Sequence, residues 1–466
     1  MIKDLVKKAL QGVGTKGSFA QNFAFVLSGT GLNIMVQVVV APLLARIYGP
    51  EAYGIFAIFN AVCTNLALVA TLRLPQAMLL PKDETDFSSL MRLSLLSSLV
   101  LSALLFIALF LVGDFVLTFF QAESLIDFFY LIPISVFLIS LNQVLGQWQY
   151  RLSEFKKAVS IDTGVLIGVR IFNLVVGWIS NGISIGLVAG DIVGKIFGSI
   201  LSWKFIIRAK IKILFQSISW NQLKGTLFEY KQYPIYNLPG VWISMLSDQL
   251  PVFFFSHLFG LKTIGFLALA TSMLDLPKRL LAYSVSSIFY KRAVELNRES
   301  DKGLQKFVSQ MLYSFLILSL IPYTAVIVFG PELFSLFFGQ EWRLSGTLAQ
   351  YIALYSVVEL LYISMDSIYY VLRREKRLFH FQLITFASRF LVLWVSYLGS
   401  FSFEKSVQLL VVVNGLLYCG QLSYVLRLLE LAWWKHLVRI ISLIIIASST
   451  LYGIKVLFFW LTDQGI

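Results

Sequence analysis

Arg46-Ile47-Tyr48-Gly49-Pro50-Glu51-Ala52-Tyr53-Gly54-Ile55-Phe56-Ala57 is the stretch on which the reading of the fold turns. It separates two apolar runs, 20–45 and 53–80. Each run is long enough to cross a bilayer as a helix, which takes about 20 mainly apolar residues. The glycines permit a tight turn between them. An offset of 211 residues leads to His257-Leu258-Phe259-Gly260 and Gly265-Phe266-Leu267-Ala268, again between two apolar runs. Gly260 and Gly265 stand five apart, as Gly49 and Gly54 do. A second echo pairs Glu154-Phe155-Lys156-Lys157 with Glu375-Lys376-Arg377-Leu378. Loop chemistry that returns at corresponding places along the chain points to two like halves.

Working outward, apolar runs of spanning length recur thirteen times: 20–45, 53–80, 88–120, 125–149, 157–179, 184–207, 235–259, 263–289, 308–330, 345–371, 379–400, 406–428 and 437–460. The eighth is interrupted by Asp275, Lys278 and Arg279. Composition agrees. The chain is 58% hydrophobic and 14% charged, against about 25% charged in a typical soluble domain. The 40 Phe, 20 Tyr and 10 Trp suit a bilayer and its interfaces. The formal charge of +13 would suggest nucleic acid in a soluble protein. Here the charges sit in short segments between apolar runs, so no nucleic-acid partner is expected. The fold predicted is an all-α polytopic membrane protein of about thirteen spans.

Lys and Arg in the connections set the orientation. With a cytoplasmic N-terminus, inside segments hold 27 of them and outside segments only Arg46, Lys262, Arg343 and Lys405. The basic stretch Met1 to Gln21 lacks a cleavage site after a short apolar core, so the first span is expected to act as an uncleaved insertion signal. Six spans then precede and six follow the basic, aromatic connection from Arg208 to Tyr233. Both halves start inside, which makes the repeat parallel. The domain reading is an N-lobe over 1–210, a cytoplasmic linker over 211–234, a C-lobe over 235–430 and an extra C-terminal helix over 431–466, with the C-terminus outside.

Several ionisable residues fall within the spans. Arg170, Asp191, Lys195, Asp248, Asp275, Glu359 and Arg389 lie near mid-depth, and Arg73, Lys278, Arg279 and Asp366 nearer the cytoplasmic side. Each costs about 2.5–3.5 kcal/mol at a helix centre on insertion scales, so such groups face a wet cavity or a partner. Asp191 and Lys195 stand four apart on one helix face and can pair with each other. Asp275 with Lys278 and Arg279 has similar spacing, and Asp162 and Arg170 are eight apart on one face. Asp248 has no basic residue within two turns, which makes it the first candidate for an ion-coupling carboxylate, followed by Glu359 and Asp275. Arg73, Arg170, Lys195, Arg279 and Arg389 are the candidate phosphate ligands, because guanidinium binds phosphate bidentately and ammonium binds it as a point charge.

Other chemistry has no motif. No nucleotide-binding loop, HExxH, GxSxG or dinucleotide fingerprint occurs. Gly12-Val13-Gly14-Thr15-Lys16-Gly17 has the wrong spacing for a phosphate loop. Cys63 and Cys419 sit in separate apolar runs, and the three histidines form no metal-site cluster. No catalytic residue, cofactor or metal is expected, and the reading is a transporter rather than an enzyme. Pro42, Pro75, Pro133, Pro251, Pro277 and Pro322 lie in or at the ends of spans, where proline kinks helices for packing or for gates.

Leu44-Ala45-Arg46-Ile47-Tyr48-Gly49-Pro50-Glu51-Ala52-Tyr53-Gly54-Ile55-Phe56 resembles the first outer turn of Wzx-type polysaccharide flippases, and Ala77-Met78-Leu79-Leu80-Pro81-Lys82 is similar to the end of their second helix. These belong to the multidrug/oligosaccharidyl-lipid/polysaccharide exporter superfamily. The resemblance covers residues 20–430 in outline. It implies a V-shaped transporter of two six-helix lobes with a central cavity, as in the drug exporters and lipid II flippases of that superfamily. It implies that the substrate is an undecaprenyl-pyrophosphate-linked oligosaccharide unit of O-antigen (as in lipopolysaccharide biosynthesis), capsule or exopolysaccharide. Ion-coupled alternating access would carry this unit across the bacterial cytoplasmic (inner) membrane. A polysaccharide polymerase and chain-length proteins are the implied partners, beside membrane lipid. The thirteenth span departs from the two-lobe pattern. Competing readings are a cation-coupled multidrug exporter, a membrane-embedded polymerase or glycosyltransferase, and a non-transporting component of an assembly complex. The outer turn and the basic residues at depth favour the flippase.

Overall fold

The computed structural model describes residues 19–119, 126–152, 155–210, 219–299 and 301–463. The basic N-terminal stretch before Phe19, Glu154 of the second echo and residues 211–218 of the predicted linker lie outside the described residues. Among those described, every regular element is a helix. Among the described residues, ten helices are long and apolar enough to cross a membrane. The chain packs as two compact units, 1–257 and 258–466.

The first unit opens with α1 (Phe19–Ala70), which turns at Gly49 and so carries the first two predicted spans. Gly49 has φ 68° and ψ 174°, a conformation closed to residues with a Cβ. Gly260, 211 residues on, has φ 82° and ψ 172°. The two glycines that align at the offset of 211 thus share one backbone geometry. After α1 the chain breaks. Leu72 and Arg73 have positive φ, and a single turn, α2 (Leu74–Ala77), follows. Then come α3 (Glu84–Phe119), α4 (Ile126–Phe129), α5 (Leu131–Arg151), α6 (Phe155–Ile179) and α7 (Ile185–Lys210). A short helix, α8 (Trp220–Glu229), and a π-helix over Tyr233–Asn237 lead into α9 (Leu238–Phe259). One apolar core gathers Leu74, Met78, Phe87, Leu90, Trp148 and Tyr230, joining α2, α3 and α5 to the C-cap of α8. Arg151 closes that end, its guanidinium 4.6 Å from the Phe87 ring centre and Nη1 donating to the Pro81 carbonyl at 2.7 Å.

The second unit contains α10 (Leu261–Lys278), a π-helix over Arg279–Tyr283, α11 (Ser284–Glu299), α12 (Asp301–Phe338), α13 (Arg343–Ile363), α14 (Ile368–Val371), α15 (Glu375–Leu398), α16 (Phe403–Leu428) and α17 (Trp433–Asp463). The thirteen predicted spans map onto these helices, with the second running on past α1 into the break and α2, the tenth crossing the turn 364–367 into α14, and residues 120 and 125 lying outside the described residues. The two absent from the ten apolar ones are α9 and α10, which carry Asp248 and Gln249, and Lys262, Asp275 and Lys278. Of the residues read as interrupting the eighth span, Asp275 and Lys278 lie in the last turn of α10 and Arg279 opens the π-helix that separates α10 from α11.

Proline and glycine shape the pairing of α12 with α13. Pro331 lacks an N–H, which frees the Ile327 carbonyl. The helix deforms at Phe329 (φ −116°, ψ 15°), and Gln350 Nε2 donates to Ile327 O at 2.8 Å. Gly330 and Gly346 meet there. A Cβ on Gly346 would stand 2.3 Å from the Gly330 carbonyl oxygen. Backbone lines both sides, so nothing can yield cheaply. Gly346→Ala is therefore expected to lower stability by about 1–3 kcal/mol, read as a fall in the midpoint of thermal unfolding in detergent. Gly415→Ala, whose nearest neighbour is the Tyr355 Cβ at 3.7 Å, is the matched control and is expected to leave the midpoint in place.

The thirteenth helix, α17, packs on α12 and α16. Lys455 Nζ meets Glu332 Oε1 at 2.8 Å and donates to the Val328 carbonyl at 2.9 Å, beside the deformed turn at Phe329. Tyr313 Oη lies 2.9 Å from His436 Nδ1. Polar contacts at both ends thus dock a helix that is otherwise largely exposed and apolar.

Candidate functional site

A cavity of about 420 Å³ lies in the first unit among α1, α5, α6 and α7. Its wall holds Asp162 and Arg170 from α6, Asp191 and Lys195 from α7, and Asn142 and Gln149 from α5. A stripe of small residues, Gly186, Gly190, Gly194 and Gly198, stands four apart along α7; Gly190 and Gly194 let α6 approach, while Gly186 faces Tyr48 of α1 and Gly198 faces Asn142 of α5. A Cβ on Gly190 would run into the Asn173 side chain, and one on Gly194 would stand 2.3 Å from Val169. Asp191 and Lys195 each follow a glycine of the stripe, which turns them about 100° off the packed line.

Lys195 and Asp191 form an ion pair, with side chains 16% and 22% exposed. Lys195 Nζ also donates to Ser135 Oγ at 2.9 Å. Asn142 Nδ2 donates to the Lys195 carbonyl at 2.9 Å and to Ser199 Oγ at 3.0 Å, which sets the register of α5 on α7. Tyr48, beside the Gly49 turn, donates to the Asn173 carbonyl at 2.6 Å and ties α1 to α6. The wall therefore carries two carboxylates, two cations and neutral amides. Such a lining can hold a charged, hydrated group at membrane depth, and a phosphate reaching Lys195 would compete there with Asp191.

The second unit holds its ionisable groups differently. Lys278 Nζ lies 2.8 Å from Glu359 Oε2 and 2.7 Å from Asp275 Oδ1. Tyr418 donates to Glu359 Oε1 at 3.0 Å and accepts from Arg389 Nη2 at 3.2 Å. Arg389 Nε donates to Asn414 Oδ1 at 2.8 Å. The network joins α10, α13, α15 and α16. Two carboxylates and two cations balance within it, which is what a buried ionic cluster requires in a medium of low dielectric.

The residues singled out from sequence divide accordingly. Arg170 and Lys195 meet in the cavity with Asp162 and Asp191. Glu359, Asp275 and Arg389 meet in the network, and Arg389 is 5% exposed. Arg73 sits in the break between α1 and α2 at φ 58°, its Nε donating to Asn237 Oδ1 of the π-helix at 3.1 Å. Asp248 is exposed on α9, next to Gln249, whose Oε1 accepts from Asn65 Nδ2 at 2.6 Å. Arg279 is exposed at the start of the second π-helix. Two features escaped the sequence reading. The glycine stripe was visible as a four-residue spacing. Lys278 as the partner of Glu359, 81 residues away, has no signal short of knowing that α10 meets α13.

Fold and site define the class: a multi-pass, all-α membrane protein with a charge-lined cavity at depth. The chain belongs to the polysaccharide biosynthesis protein family, whose model matches residues 43–346. That match begins beside the outer turn that carried the resemblance. Among solved structures, the lipid II flippase MurJ in an inward closed conformation is similar at 16% identity, with 92% of each chain covered and a TM-score of 0.69. An inward-facing multidrug resistance MATE transporter of the MOP superfamily is similar at 13% identity, covering 92% of this chain and 98% of that one, with a TM-score of 0.61. A MOP superfamily transporter from Pyrococcus furiosus is similar at 14% identity, covering 88% and 95%, with a TM-score of 0.61. At these identities the likeness is one of fold. No curated protein matches the chain.

Proposed function

We propose that this protein is a flippase. It carries an undecaprenyl-pyrophosphate-linked oligosaccharide unit from the cytoplasmic to the outer leaflet of the bacterial cytoplasmic membrane by ion-coupled alternating access, with its N-terminus inside. The family supports a role in polysaccharide biosynthesis. The observation that carries the reading is the pair Arg170 and Lys195 in one polar cavity of membrane-crossing helices. Guanidinium and ammonium are phosphate ligands. Asp162 and Asp191 balance them in charge, so the family match, and not the lining, favours the flippase over the multidrug exporter.

Coupling follows from the same geometry. A phosphate that draws Lys195 away leaves Asp191 without its cation. The coupling ion then takes the place of the ammonium beside that carboxylate. Substrate entry and ion binding are thereby linked at one ion pair. In the second unit, Glu359 and Asp275 exchange ions only when Lys278 leaves them, and Asp248 serves from the exposed face of α9. Arg73, Arg279 and Arg389 are secondary phosphate ligands, with Arg389 first having to leave Asn414 and Tyr418. A polymerase and chain-length proteins act on the delivered unit at the outer face.

Deletion of the gene tests this reading. Loss of a surface glycan (O-antigen, capsule or exopolysaccharide), with lipid-linked intermediates accumulating toward the cytoplasm and reversal by the intact gene, is the expected result. Unchanged glycan together with new drug sensitivity would replace the flippase by the exporter. Unchanged glycan and unchanged drug tolerance would leave a non-transporting component.

A further inference from the structure

The short helix α8 has three distinct sides. Leu223, Thr226 and the C-cap Tyr230 are buried. Tyr230 enters the core formed by Phe87, Leu90 and Trp148, and α8 packs along α3. At about 3.6 residues per turn, Asn221, Gln222, Gly225 and Glu229 fall on a second side, all exposed. Trp220, Lys224 and Phe228 fall together on a third, and Lys231, just past the C-cap, reaches over Phe228 on that side. Trp220 is 63% and Phe228 70% exposed. Lys224 Nζ lies 5.6 Å from the Trp220 ring centre and Lys231 Nζ 3.6 Å from that of Phe228. A Ser219–Gln222 capping box fixes the start of the helix.

The position of α8 explains the three sides. Phe87 and Leu90 belong to the first turns of the span Glu84–Leu111, and Trp148 to the last turn of Leu131–Arg151. The helix therefore lies at the end of the spans, where hydrocarbon gives way to headgroups. A helix held there against a protein body has one side for the body, one for water and one for lipid. Exposed Trp and Phe partition to that interface, and lysine reaches from it to anionic headgroups. The acidic groups near α8 lie on its other sides: Glu229 on the polar one, and Asp86 beside Tyr230 on the protein one. Among the described residues of α8 itself, those on the basic–aromatic side include no acid.

We propose that the Trp220, Lys224, Phe228 and Lys231 side of α8 is a docking surface for the headgroups of anionic phospholipid in the surrounding leaflet. The π-helix that follows α8 supplies Asn237 to Arg73, so headgroup binding at α8 also holds in place the segment that positions Arg73.

The test uses the full chain reconstituted in phosphatidylcholine vesicles containing either brominated phosphatidylglycerol or brominated phosphatidylcholine. The contribution of Trp220 to fluorescence is taken as the difference between the parent protein and Trp220→Phe. Brominated phosphatidylglycerol is expected to quench that contribution with about five-fold or greater preference over brominated phosphatidylcholine at equal mole fraction, as one lysine near an anionic surface supplies. The preference is expected to disappear in K224Q/K231Q and to weaken at high salt. Both lysines are exposed, so the variant keeps the fold, checked by an unchanged elution profile and thermal midpoint. Equal quenching by both lipids removes the charge recognition. No quenching by either turns this side toward water or a protein partner. A preference that survives K224Q/K231Q removes the lysines from the surface. Each of these three results overturns the proposal.

Discussion

Lys278→Ala is expected to destabilise the second unit by about 3–5 kcal/mol, the usual cost of leaving a buried charge without its partner. Lys278 is 10% exposed and serves two carboxylates, one of which, Glu359, is itself 12% exposed. Without the ammonium, Glu359 keeps only the Tyr418 hydroxyl. Asp275 is 41% exposed and can be rehydrated, so Glu359 dominates the loss. The neighbouring hydrogen bonds matter less, because an interhelical hydrogen bond in a membrane protein averages about 0.6 kcal/mol. Tyr418→Phe should therefore cost clearly less than Lys278→Ala. The double variant Lys278→Met with Glu359→Gln removes both charges and is expected to recover most of the loss. The parent, Lys278→Met, Glu359→Gln and their double variant, read as thermal midpoints in detergent, form a double-mutant cycle on the pair. A Lys278→Ala midpoint equal to that of the parent would mean that the ion pair contributes nothing.

Arg170→Gln is expected to abolish delivery of the glycan to the cell surface while the protein still inserts and elutes as a single species. Hydrogen bonds to charged groups are worth about 1.5–3 kcal/mol each, so loss of a two-pronged phosphate contact lowers flux by orders of magnitude. Lys195→Gln should have the same functional effect with a stability penalty besides, since Asp191 loses its partner. Asp191→Asn with Lys195→Gln removes that penalty without restoring transport. Lys195→Arg keeps the charge and is expected to retain part of the activity. Full surface glycan in both Arg170→Gln and Lys195→Gln strains would remove this cavity from the transport route.

The legible part of this protein is the part written in local spacing. The thirteen apolar runs and the Gly49 and Gly260 turns could be read directly, because a spanning helix and a glycine-only backbone both leave marks in adjacent residues. Asp191 and Lys195 could be paired because they are four apart on one helix. The partners of Glu359 and Arg389 could not. Lys278, Tyr418 and Asn414 reach them from other helices, and no period in one segment encodes which helix its polar side will meet. The last helix has the same explanation. Its apolar length was plain, but Lys455 finds Glu332 more than a hundred residues upstream. The helix α8 fell in a stretch read only as basic and aromatic. Its three sides emerge once Tyr230 is seen to enter the core.

The account rests on movement of a lipid-linked oligosaccharide, and a reconstituted assay addresses that directly. Lipid-linked intermediates extracted from the deletion strain are incorporated into vesicles with and without the purified protein. A soluble pyrophosphatase added outside then reports which molecules face outward. Vesicles without protein, and those with Arg170→Gln, should release only the outer-leaflet share, whereas vesicles with the parent protein should release nearly all of it. Release from parent vesicles that stops at the outer-leaflet share under every imposed ion gradient would contradict the account.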